Sequence, residues 1–195
     1  MPRARPSVLI ASLMLAFAVG CVLRSDGSQF YMLSADASAP LTAHPVRVGL
    51  GPVNVPAYLD APTIVTRIDP NRLEYARFDR WASPLSLQVA RVLAADLGGT
   101  GTIAVVSYPW YPSAQVDVVV RVNLLAFEND SSGTAHLDAT WSLVEPRSGV
   151  VRRSGRTTLD EPATARTTDG AVAALSRALA ELARRIAEDL LVSPS

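Results

Sequence analysis

The chain has 195 residues, 49% of them apolar, with 18 basic and 18 acidic side chains and a formal net charge of zero. That length and apolar share exclude a disordered chain and fit one domain with its own core. No block of like charge marks a nucleic-acid footprint or a polybasic membrane patch, and a single cysteine, Cys21, excludes an internal disulfide framework or a multi-cysteine metal site.

Residues 1–20 read as a secretion signal. Arg3 and Arg5 precede an apolar run from Val8 to Val19, which is shorter than the roughly 20 residues a membrane-spanning helix needs. Ala18-Val19-Gly20-Cys21 has the form of a bacterial lipobox. Cleavage before Cys21 would leave a residue acylated on its thiol and its amine, and two or more acyl chains make a stable anchor. Loss of Arg3 and Arg5 with no acid takes the net charge to −2. Val22 stands where an aspartate would retain an enterobacterial lipoprotein in the inner membrane, so the expected address is the outer membrane, facing the periplasm. Residues 21–28 are then the lipidated cysteine and a polar tether, and residues 29–192 are the folded domain.

Phe30-Tyr31-Met32-Leu33 predicts a short first strand, and residues 35–45 a loop. Val46 to Leu50 alternates as a half-buried strand, and Gly49 and Gly51 admit a bulge or a close backbone approach. Pro52 to Pro56 is extended by the restriction each proline places on its predecessor, and Tyr58 opens a further extended run that ends in a turn at Pro62. Ile64–Arg67 and Arg72–Phe78 read as two strands joined at Asp69-Pro70-Asn71. Ser83 fits an N-cap and Pro84 a first helical position. Leu85, Val89, Val92, Leu93 and Leu97 then form one helical stripe, stopped by Gly98-Gly99. Ile103–Val106 is a short strand, leading into Tyr108-Pro109-Trp110-Tyr111-Pro112. Gln115–Glu128 is a long strand with Val116, Val118, Val120, Val122 and Leu124 on one face. Asn129–Gly133 is a hairpin loop. The return strand places Ala135, Leu137, Ala139, Trp141 and Leu143 together, and Val150–Leu159 is a third antiparallel strand. Asp169 is a candidate N-cap for a last helix whose stripe is Val172, Leu175, Leu179, Leu182, Ile186 and Leu190. The order predicts an α+β fold. It would be a single domain, a mostly antiparallel sheet with two amphipathic helices packed on one face.

The chemistry-bearing residues are sparse. His44 lies in a proline-flanked loop, and His136 shares a strand face with Asp138, which suits a cross-strand polar pair. Neither has the converging ligands or nucleophile that metal or acid–base chemistry needs. There is no G-x-S-x-G elbow, P-loop or H-E-x-x-H motif. The glycine-rich run at 98–101 follows a helix, the wrong side for a phosphate cradle. The expectation is a non-enzymatic protein with no cofactor and no metal. Tyr108, Trp110 and Tyr111 form an aromatic loop that is either an exposed interaction surface or a lid on the core.

Tyr58-Leu59-Asp60-Ala61-Pro62-Thr63-Ile64-Val65-Thr66-Arg67, followed by Arg80-Trp81-Ala82-Ser83-Pro84-Leu85, resembles the periplasmic lipoproteins of the PqiC/YmbA family, also called ABC-type transport auxiliary lipoprotein components. The resemblance extends more weakly from about Tyr31 to about Leu190. It implies an accessory subunit of an MCE-type system that carries lipid between the two membranes. By that resemblance the chain is fixed to the outer membrane through Cys21, assembles as a homo-oligomeric ring, and docks a PqiB-like MCE-domain tunnel to the membrane. An independent lipid- or envelope-polymer-binding lipoprotein is the alternative. Candidate partner contacts are Tyr58, Leu59, Arg67, Trp81, Tyr108, Trp110 and Tyr111.

Overall fold

A computed structural model describes residues 27–36, 45–111 and 114–192. The signal segment, Cys21, His44 and Pro112 lie outside them. In chain order the elements are β1 (Gln29–Tyr31), β2 (Val46–Asn54), a 3-10 turn (Ala57–Leu59), β3 (Thr63–Asp69), β4 (Arg72–Trp81), α1 (Leu85–Gly98), β5 (Ile103–Ser107), β6 (Val118–Asp130), β7 (Ala135–Val144), β8 (Val151–Glu161) and α2 (Thr168–Val192).

The eight strands form one sheet, with β6 as its spine. One edge of β6 pairs antiparallel with β7 from Val119 to Asn129, and β8 pairs antiparallel with β7 beyond it. The other edge of β6 is shared. β2 runs parallel along its first half, Val48 beside Val118 through Asn54 beside Asn123. β3 takes its end, Thr66 beside Asn129. The sheet therefore forks, with β5 extending the β2 branch and β4 then β1 extending the β3 branch. The antiparallel ladders are the longest, so the sheet is mostly antiparallel as expected. The shorter ladders, β2 with β5 and β6, β3 with β6 and β1 with β4, are parallel; between β2 and β5 the chain crosses over through α1, which returns it in the same direction.

Both helices lie on one face. α1 packs on β2 and β5, α2 packs on β6, β7 and β8, and the two helices touch each other. The predicted stripes are the buried ones: Leu85, Val89, Val92, Leu93 and Leu97 on α1, and Val172, Leu175, Leu179, Leu182, Ile186 and Leu190 on α2. Burying each such side chain contributes roughly 1.5–3 kcal/mol. They meet Val48, Leu50, Val120, Val122, Leu137 and Leu143 from the sheet. Trp141 fills the β7–β8 end of this layer and donates its indole N–H to Thr157 Oγ1 at 3.2 Å. Its ring lies over Gly155, where a Cβ would come within 2.4 Å of Cζ2. Glycine is thus required there by contact.

The segment from Met32 to Asp36 straps the two helices. Leu33 is 1% exposed. Its N–H donates to Gln88 Oε1 at 2.9 Å, and its carbonyl accepts from Arg91. The Ser34 N–H donates to Ser176 Oγ at 3.1 Å and that of Asp36 to Asp96 Oδ1 at 2.8 Å.

Several local expectations are corrected. Tyr58 lies in a 3-10 turn and not in an extended run. Pro84 is itself the N-cap of α1, kept out of the helix by its ψ of 132° (φ −49°), and Ser83 makes no cap hydrogen bond from its side chain. Thr167 caps α2, its hydroxyl accepting from the Gly170 N–H at 3.1 Å, while Asp169 sits inside the first turn, where its charge favours the helix dipole. β6 runs on to Asp130, past the expected hairpin loop, and is interrupted by a bulge between Leu124 and Ala126.

Candidate functional site

The bulge sets the site. Before it, even-numbered residues of β6 face the helices. After it, Phe127 and Asn129 do, opposite Leu137 and Ala135, and Glu128 turns to the other face beside His136. Glu128 is nevertheless only 1% exposed, because β3 and the 3-10 turn close over it. Arg67 donates Nε to Oε1 at 2.7 Å and approaches the same oxygen with Nη2 at 2.6 Å. Tyr58 donates its hydroxyl to Oε2 at 2.7 Å, and the Phe127 N–H reaches Oε2 at 2.8 Å. The Tyr75 hydroxyl in turn donates to the Tyr58 carbonyl at 3.1 Å. Burial and the neighbouring carboxylate push the Tyr58 phenol well above its ordinary value, so it remains a donor. The hydrogen bond to Glu128 raises Arg67 in the same way.

Both carboxylate oxygens are therefore occupied by protein donors. The cluster pins the Tyr58 turn and β3 onto β6, and it offers no free lone pair aimed at a substrate. It also places four of the candidate contacts. Tyr58 and Arg67 meet at Glu128. Leu59, at 2% exposure, and Trp81, at 7%, point into the core and present no side-chain surface. The 3-10 turn carries Leu59 inward, and Trp81 lies at the core-facing end of β4.

The aromatic loop lies at the other end of the same open face. Trp110 is half-buried against Gly49, where an added Cβ would meet its ring at 3.2 Å. Tyr108 packs edge-on to Trp110 with centroids 5.7 Å apart. Tyr108 is 60% and Tyr111 82% exposed. The loop is thus part lid and part free surface. From Val119, beside Gly49, to Glu128 is about 30 Å at the rise of a strand. Between the two clusters a depression of about 510 Å³ is lined by the polar Asn54, Arg121, Asn123, Thr140, Ser142 and Ser154 and by the apolar Pro52, Val122 and Trp141.

His136 faces the same side. Its Nδ1 lies 2.6 Å from Asp160 and its Nε2 3.2 Å from Asp130, and Asp138 instead pairs with Arg156 at 2.8 Å. Burial works against the imidazolium, but hydrogen bonds to Asp160 and Asp130 outweigh it and raise the His136 pKa. The expected polar pairing across strands is present, with Asp160 as the cross-strand partner. Among the described residues no group of three or more His, Cys, Asp and Glu side chains could hold a metal. No described helix is long and apolar enough to cross a membrane.

Glu128 and the depression were not among the sequence candidates. One signal for Glu128 was present. Unbroken alternation from Val118 puts Glu128 on the core face and Phe127 in water, and that conflict marks a bulge.

No curated protein matches the sequence. Among the solved structures that share its fold are two crystal structures. One, of an uncharacterized protein, is 22% identical, with 85% of this chain and 99% of that one covered and a TM-score of 0.71. The other, a protein from Xanthomonas campestris of the family DUF330, is 20% identical, with 85% and 95% covered and a TM-score of 0.71. The family model described as ABC-type transport auxiliary lipoprotein component matches residues 31–187, from the end of β1 to the last turns of α2. With β2 to β8, α1 and most of α2 inside that match, the chain belongs to the ABC-type transport auxiliary lipoprotein component family.

Proposed function

We propose that this protein is a non-enzymatic, lipid-anchored accessory subunit of an MCE-type intermembrane lipid transport system. Cys21 carries the acyl chains and holds the domain at the outer membrane, facing the periplasm. The domain assembles as a homo-oligomeric ring and docks a PqiB-like MCE tunnel to that membrane. The observation that carries the reading is the family match over residues 31–187. The site chemistry agrees with it, since Glu128 is saturated by Arg67, Tyr58 and Phe127. Tyr108 and Tyr111 are the most exposed of the candidate contacts, and large amphipathic rings of this kind serve as interface anchors.

The test is a pull-down from detergent-solubilised envelopes through a C-terminal tag. An MCE-domain protein should co-isolate, and Tyr108→Ala with Tyr111→Ala should lose it while leaving the melting temperature unchanged. A second reading, an independent lipid- or envelope-polymer-binding lipoprotein, is favoured by the mixed polar and apolar depression around Arg121, Asn123 and Trp141. Recovery of the protein without an MCE partner, but with stoichiometric polymer or lipid, would replace the first reading by the second.

A further inference from the structure

The tether ends on an apolar patch. β1 pairs with β4 at one end of the forked sheet. Its alternation turns Tyr31 toward the core and Phe30 outward, 67% exposed, and Met32 follows at 54%. In the neighbouring strand Phe78 is 36% exposed, with the Arg77 guanidinium 5.1 Å from its ring centre. Arg80 stands in register beside Phe30. Two acids stand nearby: Asp79 accepts from the Thr168 hydroxyl at 2.6 Å, and Asp169, in the first turn of α2, borders Phe30 and Met32 on the side away from the arginines. Single exposed apolar residues need no explanation, but a cluster rimmed by arginine does.

Chain length says what faces it. Phe30 follows Cys21 by nine residues, at most about 30 Å of fully extended chain. Any surface that takes up the acyl chains is therefore held within reach of this patch. Its composition fits the headgroup boundary of a bilayer. There the apolar bodies of Phe and Met bury shallowly, while arginine keeps its charge at the phosphates.

We infer that Phe30, Met32 and Phe78, with Arg77 and Arg80, form a seat that rests on the phospholipid surface and fixes the tilt of the domain. The inference rests on acylation of Cys21. With Cys21 acylated, the chain has no free thiol, so single cysteines report cleanly. Full-length lipoprotein is reconstituted into phosphatidylethanolamine–phosphatidylglycerol vesicles. Phe30→Cys, Met32→Cys and Phe78→Cys variants are labelled with an environment-sensitive nitrobenzoxadiazole probe, and Val150→Cys, at a site 60% exposed in the β7–β8 turn, is the control. Far-UV circular dichroism checks that each variant is folded.

The seat predicts a blue-shifted emission and at least twofold quenching by spin-labelled lipid at positions 30, 32 and 78, and neither at 150. Emission at position 30 equal to that at 150, on protein that floats with the vesicles, would overturn the seat and leave the anchor intact. Protein that neither carries acyl mass nor floats would overturn both.

Discussion

Arg67 is the point at which the site can be taken apart. In Arg67→Ala the Glu128 carboxylate, 1% exposed in the wild type, keeps the Tyr58 hydroxyl and Phe127 N–H but loses both guanidinium contacts, at 2.7 and 2.6 Å. Removing one partner of a buried ion pair costs about 3–5 kcal/mol, whereas an exposed pair is worth about 0–1 kcal/mol. Arg67 is 31% exposed, and water entering its vacated space sets the cost near the low end, about 3 kcal/mol. In a domain of this size each kcal/mol moves the melting temperature by about 2–4 °C, so the variant should melt about 6–12 °C lower. Thermal melts of the detergent-solubilised chain, followed by far-UV circular dichroism, measure this. Arg67→Met with Glu128→Gln removes both charges at similar volume, leaves an amide oxygen to accept from the Tyr58 hydroxyl and the Phe127 N–H, and should recover most of the loss. A single variant within about 1 kcal/mol of wild type, or a double variant no more stable than the single, would refute the assignment of a buried, mutually dependent pair.

Gly155→Ala should drive Trp141 from its place, because the new Cβ would stand 2.4 Å from Cζ2. Overpacking of this kind costs about 1–3 kcal/mol, and near-UV circular dichroism should lose tryptophan signal. Gly170→Ala would put a Cβ 2.2 Å from the Ala165 carbonyl oxygen. Displacement of that loop would cost the Thr167 cap, about 1 kcal/mol, and amide exchange in the first turn of α2 should speed up. The His136 pKa is raised on folding. Its contribution to stability is therefore complete below the unfolded value of about 6.5 and is lost as pH rises through the folded value. The stability gap between wild type and His136→Asn should be wider near pH 5.5 than near pH 8.5, and a gap that widens toward the alkaline side contradicts the ion-paired imidazolium.

Both helix stripes were legible because helical periodicity reports burial directly, and every stripe residue from Val172 to Leu190 is inside. Gly49 and Gly51 were legible for a related reason. A ring packs on Gly49, and the β2–β6 register shifts between Leu50 and Val53. What the sequence hid was long-range. The forked edge of β6 depends on β2 and β3 sharing one strand, which no local pattern encodes. Glu128 was missed because it acquires its partners from 61 and 70 residues away. Tyr58 and Arg67 stood out as a motif, but their common purpose appears only when the bulge turns Glu128 toward them. Leu59 and Trp81 belonged to the same motif for a different reason, as core residues on either side of the β3–β4 hairpin.

The strap between the helices bears on how a membrane-held domain carries load. A pull through the tether reaches β1 first, and β1 holds β4 through only three registered residues, Gln29 to Tyr31. That ladder is short enough to shear. Behind it, however, Leu33 is plugged into the core and its backbone is tied to Gln88 and Arg91 on α1, while Ser34 is tied to Ser176 on α2. Force that outruns the sheet is thus divided between two helices at once, along bonds that must break together. The anchoring end of the chain is mechanically continuous with the middle of the core, and thermal motion or a moving partner can tug on the tether without peeling the fold open from its edge.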